Sequence, residues 1–183
     1  MTRRPNSIEH HAASRSHPFG LEYWHLLAVA AAVVVVADQM TKAVVRSAVD
    51  LGETMEAVGP FSIHHLRNSG ILGGHFQGSV LPVAAVTTVA LAALVVYLAR
   101  QSATRPIDAV AFGLLLGGGL GNLVDRLRLG YVTDFIDRGH GGAFNLADVA
   151  ILLALATILA ASLLAERSPR RLQARPDTSG GDE

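Results

Sequence analysis

The chain has 183 residues, of which 50% are hydrophobic and only 16% are charged, and its formal net charge is zero. A soluble domain of this size carries about a quarter charged residues, so the composition indicates an integral membrane protein of one domain. Zero net charge argues against nucleic acid as a partner. The absence of cysteine excludes a disulfide framework, a thiolate nucleophile and a cysteine-based metal site.

The two ends of the chain are polar and have no apolar period. Residues 1–20 and 166–183 are therefore predicted to be disordered tails. The first apolar run, Leu21–Ala37, is longer than the core of a signal peptide, and it leads into Asp38–Lys42 rather than into a small-residue cleavage site. We expect it to be retained as the first membrane span.

Four apolar runs are each close to the roughly 20 residues that a helix needs to cross a hydrocarbon core of about 30 Å. They cover Leu21–Met40, Ser79–Ala99, Ile107–Val124 and Phe144–Ala165. None has the alternation of barrel strands, and lipid leaves only helices or closed barrels as spanning structures. The sequence predicts an all-α integral membrane domain of four transmembrane helices over residues 21–165.

Basic residues near the spans predict the orientation. They are concentrated in the first tail, the link after the second span and the last tail, where they are Arg3, Arg4, Arg15, Arg100, Arg105, Arg167, Arg170, Arg171 and Arg175. The positive-inside rule then places both termini in the cytoplasm. The segments 41–78 and 125–143 are expected on the outer side.

The segment 50–78 is too polar to span a membrane. Phe61–Leu66 partly alternates between apolar and polar residues and follows Gly59-Pro60, which predicts a short strand or two. Asn68–Gly70 and Leu72–Gly74 are typical of turns or loops. We expect a small outward-facing β-rich subdomain between the first and second helices.

Small and polar residues mark the third span. Gly113, Gly117 and Gly121 recur every four residues, a spacing that lets helix backbones approach closely in a membrane, although direct substrate contact is an alternative. Asn122 and Arg126 share a helix face, with Asp125 on the same side. They form either an interfacial salt-bridge cluster or a polar clamp on substrate carbonyls, and their spacing favours neither.

Two aspartates beside the fourth span are candidates for acid–base chemistry. Asn145 and Asp148 can cap the helix that follows, and a helix N-terminus favours an ionised carboxylate. Asp134 lies in an apolar sequence, whereas Asp137 and Arg138 are more typical of solvated loop residues. If Asp134 and Asp148 meet, repulsion makes them share a proton, so that one activates water and the other protonates a carbonyl oxygen. No metal or cofactor is needed.

Two further polar groups have simpler interpretations. Asp38 and Lys42 are an i, i+4 pair, and a local ion pair that anchors the first helix at the membrane interface is predicted. His64, His65 and His75 could suggest a zinc site, but adjacent histidines on a strand point to opposite faces. We therefore expect no metal there.

Five segments, in this order, resemble the motifs of lipoprotein signal peptidase, or signal peptidase II. They are Asp38–Lys42 (DQMTK), Asn68–Gly70 (NSG), Gly118–Arg126 (GGLGNLVDR), Gly130–Phe135 (GYVTDF) and Phe144–Asp148 (FNLAD). The resemblance covers about residues 22–165. It implies a bacterial inner-membrane aspartic endopeptidase with four helices and an outward β-cradle. Such an enzyme cleaves prolipoproteins before the diacylglyceryl-modified cysteine.

The resemblance also implies roles for individual residues and partners. Asp134 and Asp148 resemble the catalytic dyad, with Asp125 as the rival member and otherwise a structural residue. Asn122 and Arg126 resemble substrate-contacting residues, and Asn68 and Asn145 resemble groups that line the pocket. The supporting positions are Asp38, Lys42, Gly70 and Ala147. The implied partners are lipid-modified prolipoproteins and membrane lipids, and a monomer is expected.

The sequence departs from this family at two places. After Gly70 the family has small residues and then a phenylalanine, whereas here Ile71–Gly74 precede His75-Phe76, so no role is assigned to residues 71–76. The link between Asp134 and Asp148 is shorter than is usual in the family. A proton- or ion-coupled transporter is the rival function, but it should place acids mid-membrane rather than at the ends of the spans. An inactive scaffold is a third possibility.

Overall fold

The computed structural model describes residues 20–56, 59–70, 78, 80–100, 105–139 and 142–173. The predictions for residues 1–19, 71–77 and 174–183, which include most of both tails and the atypical segment after Gly70, lie outside the described residues.

Four long helices form the body of the protein and confirm the predicted spans. They are α1 (Leu21–Ala48), α2 (Val80–Arg100), α3 (Pro106–Leu129) and α4 (Leu146–Gln173), and each is long and apolar enough to cross a membrane. The helix α1 continues past Met40 before Val49 adopts an extended conformation. Similarly, α4 continues past residue 165 as far as Gln173, into the segment that the sequence analysis assigned to the last tail.

A three-stranded antiparallel sheet lies at one end of the helices. The predicted segment supplies two strands, β1 (Thr54–Glu56) and β2 (Ser62–Asn68), and β3 (Val132–Asp137) pairs with β2 in the order β1-β2-β3. The register places Leu66 opposite Asp134. The sheet is therefore not confined to the connection between the first two helices, because its third strand follows α3.

The helix α3 is the centre of the bundle because its glycines let the other helices approach its backbone. A Cβ atom added at Gly117 would lie 2.7 Å from the carbonyl oxygen of Ala31 in α1. One added at Gly118 would lie 2.5 Å from the carbonyl oxygen of Ala147 in α4. Both distances are shorter than any real carbon–oxygen contact, so the predicted packing role of the glycine stripe is confirmed.

Local caps determine where α3 begins and ends. Pro106 lies in its first turn, preceded by a capping box between Arg105 and Asp108. At the other end Gly130 has a left-handed conformation with φ of 77°, and its N–H donates to the carbonyl oxygen of Arg126. This turn directs the chain from α3 straight into β3. It thereby connects the glycine-rich helix to the strand that carries Asp134.

Candidate active site

Asp134 and Asp148 come from different elements and meet through Asn145. Asp134 lies on β3 and is 3% exposed, and Asp148 is a half-buried residue in the first turn of α4. The side-chain Nδ2 of Asn145 donates to Asp134 Oδ1 over 2.6 Å. The backbone N–H of Asn145 donates to Asp148 Oδ2 over 3.3 Å. The structure thus brings the two predicted carboxylates to one place.

The start of α4 is capped as the sequence predicts. Asn145 Oδ1 accepts from the backbone N–H of Asp148 over 3.0 Å, while Asp148 Oδ2 accepts from the backbone N–H of Asn145. This is a reciprocal capping box. Only Oδ2 of Asp148 is used in it, so its Oδ1 is left for other partners. Asn145 itself is fully buried and does not line the cavity. It holds the two carboxylates from the side that faces the protein interior.

Asn68 supports Asp134 from the neighbouring strand. Its Nδ2 donates to Asp134 Oδ2 over 2.9 Å, and its Oδ1 accepts from the backbone N–H of Gly70 over 2.9 Å. The second bond is an Asx turn, which fixes which end of the amide faces the carboxylate. Each carboxylate oxygen of Asp134 therefore accepts one hydrogen bond from a side-chain amide.

Asn122 joins α3 to Asp148. Its Nδ2 donates to Asp148 Oδ1 over 2.8 Å. Its Oδ1 accepts from Lys42 Nζ over 2.9 Å and from Asn145 Nδ2 over 3.1 Å. Asn122 and Asn145 thus form a buried amide network that holds both candidate catalytic carboxylates.

Asp38 and Lys42 form the predicted i, i+4 ion pair, at 2.9 Å, and the pair lies inside the protein instead of on its surface. Both side chains are completely buried, and Lys42 Nζ also lies 3.4 Å from Asp125 Oδ2. Asp38 Oδ1 accepts from the backbone N–H of Ala147 over 3.0 Å. The pair therefore ties α1 to α3 and to the start of α4.

Arg126 does not pair with its neighbour Asp125. Its Nη2 donates to the carbonyl oxygen of Gly70 over 3.0 Å, and its Nη1 lies 3.4 Å from the carbonyl oxygen of Asn122. Among the described residues, Arg126 has no carboxylate within ion-pair distance, and its Nε is buried without a partner. Its side chain lines the cavity described below. These contacts favour the polar clamp over the salt-bridge cluster.

Three supporting residues were not identified from the sequence. The Nε2 of Gln39 lies 3.1 Å from both Asp125 Oδ1 and the carbonyl oxygen of Gly121. Thr133 donates its backbone N–H to Asp125 Oδ2 over 3.0 Å and accepts from Arg46 Nη1 over 3.0 Å on its hydroxyl. Gln39 and Thr133 lie within two of the five family-like segments, which was the available sequence signal for them, whereas Arg46 lies outside those segments.

Burial dominates the electrostatics of Asp134. Burial, together with the nearby charge of Asp148, raises the pKa of Asp134 from 3.8 to about 6, against the lowering effect of the hydrogen bond from Asn68. Asp137, at the end of the same strand, differs because the backbone N–H of Gly139 and the ring of His64 lower its pKa. The two carboxyl groups of β3 thus differ in pKa, and Asp134 is the one that keeps its proton to higher pH and can therefore serve as a general acid.

A cavity of about 1120 Å³ opens beside the two carboxylates, between α2, α3 and α4. Its polar end is lined by Asn68, Asn122, Arg126, Asp134 and Asp148. Arg138, which is exposed to solvent as predicted, also lines the cavity, and most of the remaining wall is apolar and includes Leu91, Leu94, Leu152 and Leu155. The arrangement can hold a long apolar group while presenting one polar bond to two carboxylates.

The described residues contain no group of three or more His, Asp or Glu side chains placed to hold a metal ion. His64 lies 3.3 Å from Asp137, whereas His65 faces the other way and bonds to the carbonyl oxygen of Val49 over 2.8 Å. The opposite orientation predicted for the two histidines is confirmed. His75 lies outside the described residues.

Comparison with known proteins places these features in a family. The family model described as signal peptidase (SPase) II matches residues 30–164. This chain belongs to the signal peptidase II family. It is also 36% identical to the lipoprotein signal peptidase of Dehalococcoides mccartyi strain BAV1, over 72% of this chain and 84% of the relative. With the lipoprotein signal peptidase of Nitratidesulfovibrio vulgaris strain DP4 it shares 36% identity over 77% of this chain and 90% of the relative.

Solved structures of similar fold agree with this membership. One bacterial membrane enzyme, determined by the in meso method at 2.3 Å resolution, superposes with a TM-score of 0.71 at 26% identity, over 86% of this chain and 95% of its own. A second, at 1.9 Å resolution, has a TM-score of 0.69 at 30% identity, over 76% of this chain and 93% of its own. Membership of this family and the four apolar helices make the chain a multi-pass bacterial membrane protease.

Proposed function

We propose that this chain is an aspartic endopeptidase that removes signal peptides from diacylglyceryl-modified prolipoproteins by cleaving before the lipidated cysteine. The carrying observation is that Asp134 and Asp148 share one amide network at the polar end of an otherwise apolar cavity. A diacylglyceryl group stays in the bilayer, so its protease must present the reacting groups at membrane depth. The names of the curated relatives support this class of substrate.

In the proposed reaction Asp148 acts as the base and Asp134 as the acid. The helix N-terminus and the hydrogen bonds that Asp148 accepts from Asn122 and Asn145 stabilise its ionised form, which suits it to the role of base. It takes a proton from water as the water oxygen attacks the scissile carbonyl carbon, and Asp134 gives its proton to the carbonyl oxygen. Asp148 then protonates the leaving nitrogen and Asp134 recovers its proton from the diol as the C–N bond breaks. No metal or cofactor takes part.

The remaining residues of the site bind and orient the substrate. Arg126 and Asn122 reach the cavity from α3 and can donate to substrate carbonyl groups beside the scissile bond. Asn68 completes the polar wall from β2. The apolar wall between α2 and α4 takes the acyl chains of the substrate. Membrane lipids, which surround the exposed apolar faces of the helices, are the second proposed partner. The positive-inside rule favours both termini in the cytoplasm and the dyad on the outer side. The proposed working unit is a monomer.

The test is cleavage of a diacylglyceryl-modified prolipoprotein in detergent. We expect Asp134→Asn and Asp148→Asn each to lower kcat by about 10⁴-fold, as losses of catalytic-unit residues do in other proteases. Asp137→Asn is the matched control, because this carboxylate is on the same strand but pairs with His64 outside the cavity. Its activity should stay within about twofold of wild type, the small effect expected away from reacting groups.

Two outcomes would contradict the assignment. If Asp125→Asn abolished cleavage while Asp134→Asn remained active, the dyad would be Asp125 and Asp148. If the folded wild-type protein failed to cleave a competent lipid-modified substrate, the peptidase function itself would be wrong. Each variant is therefore compared with wild type for folding in the same detergent before its rate is interpreted.

A further inference from the structure

Lys42 is a charged residue with no access to water or to the cavity. Its side chain is 0% exposed, and it is not among the described residues that line the cavity. An ammonium group has three N–H donors. Three oxygens lie around Nζ: Asp38 Oδ2 at 2.9 Å, Asp125 Oδ2 at 3.4 Å and Asn122 Oδ1 at 2.9 Å. The first two are the carboxylates that neutralise the charge, and the third is a neutral amide that belongs to the active site.

The contact with Lys42 decides which way the Asn122 amide faces. Its oxygen accepts from Lys42 Nζ and from Asn145 Nδ2, so both of its lone pairs are engaged by donors. If the amide were turned over, its NH₂ group would face an ammonium and a second NH₂ group, and no acceptor would be available there. The NH₂ group must therefore face Asp148, to which it donates over 2.8 Å.

We propose that Lys42 is a positioning residue that acts on the candidate base through Asn122. The ammonium fixes the amide, and the amide in turn holds Asp148 Oδ1 in place and stabilises its ionised form. The inference rests on the proposed function, because it assumes that Asp148 activates water. It goes beyond the structural role of the Asp38–Lys42 ion pair, because it assigns the Lys42 ammonium an effect on the rate of the chemical step.

This mechanism predicts a specific kinetic signature. Lys42 touches no part of the cavity, so its removal should lower kcat and leave KM nearly unchanged. A misplacement of about 1 Å at a catalytic group can cost about 10²-fold in rate. The loss should depend largely on Asn122, because its amide oxygen accepts from Lys42 Nζ while its NH₂ group donates to Asp148 Oδ1. A lysine that merely holds the helices together would instead have the same effect whether or not Asn122 were present.

A double-mutant cycle on diacylglyceryl-modified prolipoprotein cleavage separates these cases. Removing Lys42 alone would leave two buried carboxylates unpaired, so the cycle is run in an Asp38→Asn parent, where Lys42→Met restores the wild-type net charge of the cluster. We expect Lys42→Met to lower kcat of this parent by about 10²-fold with KM within about threefold. In the same parent carrying Asn122→Ala, Lys42→Met should lower kcat by less than about threefold.

The other outcomes are equally informative. Equal losses in the two backgrounds would overturn the positioning role while leaving the peptidase function intact. Failure of the wild-type protein to cleave is seen before any variant is made, and it would overturn the proposed function together with this inference. If the Lys42→Met proteins do not fold, the cycle is repeated with Lys42→Arg, which keeps the charge. A kcat loss confined to the background with intact Asn122 supports the proposal, and a loss of the same size in both overturns it.

Discussion

Asp134 accepts two hydrogen bonds from side-chain amides. Asn68→Ala removes one of them, the bond that Asn68 Nδ2 donates to Asp134 Oδ2 over 2.9 Å. This bond favours the ionised carboxylate and opposes the effect of burial on the pKa of Asp134. A hydrogen bond to a charged group contributes about 1.5–3 kcal/mol, and one pKa unit corresponds to about 1.4 kcal/mol. The pKa of Asp134 should therefore rise by about one to two units above its value of about 6 in the intact site.

The assay is the pH dependence of kcat/KM, which reports the ionisations of the free enzyme. In the proposed mechanism Asp134 gives a proton, so its ionisation produces the limb of the profile that falls as pH rises. A raised pKa keeps the acid protonated to higher pH, and this basic limb should move up by about one to two units. The limbs belong to the two carboxylates as a coupled pair. Ser62→Ala is the control, because Ser62 is at the opposite end of β2 from Asn68, and it should leave both limbs of the profile in place.

Two results would refute this reasoning. If Asn68→Ala moved the acid limb and left the basic limb unchanged, Asp134 would be the base and the roles within the dyad would be reversed. If neither limb moved although cleavage persisted, Asp134 would take no part in proton transfer.

Two further predictions concern stability. Burial raises the pKa of folded Asp134 to about 6 from 3.8, so its ionisation at pH 7 costs the folded protein about 3 kcal/mol. Asp134→Asn removes this cost but loses a hydrogen bond, so it should stabilise the protein by about 1–2 kcal/mol at pH 7 and lose this advantage below about pH 4, as seen from Tm in detergent. Gly121→Ala places a Cβ atom 2.6 Å from the buried Asp38 Oδ2 and should destabilise by about 1–3 kcal/mol. Gly119→Ala meets only the flexible end of Leu91 and should cost less than about 1 kcal/mol, and an equal Tm loss for both glycines would contradict the steric explanation.

Local patterns in the sequence predicted the elements that depend on neighbouring residues. The four spans follow from the length of the apolar runs, and the close helix packing follows from the glycine stripe at Gly113, Gly117 and Gly121. The capping box between Asn145 and Asp148 connects residues three apart, so it too could be read from the chain. The spans depend on the membrane and the capping box on residues within one helical turn, so both need little tertiary information. The glycine spacing predicts which face of α3 packs closely, although its partners lie in other helices.

The tertiary structure alone decided which distant polar groups meet. Asp125 is next to Arg126 in sequence, yet it pairs with Lys42, because successive residues of a helix point in different directions and α1 packs against one of them. The same packing buries Asp38 and Lys42 completely, which their i, i+4 spacing alone did not predict. The strand β3 had no clear periodic signal, and only its pairing with β2 placed Asp134 beside the start of α4. The sequence by itself determined the residue types and the helices that carry them, whereas the contacts between helices and strands determined the site, because a buried charge is stable only where the fold supplies its partner.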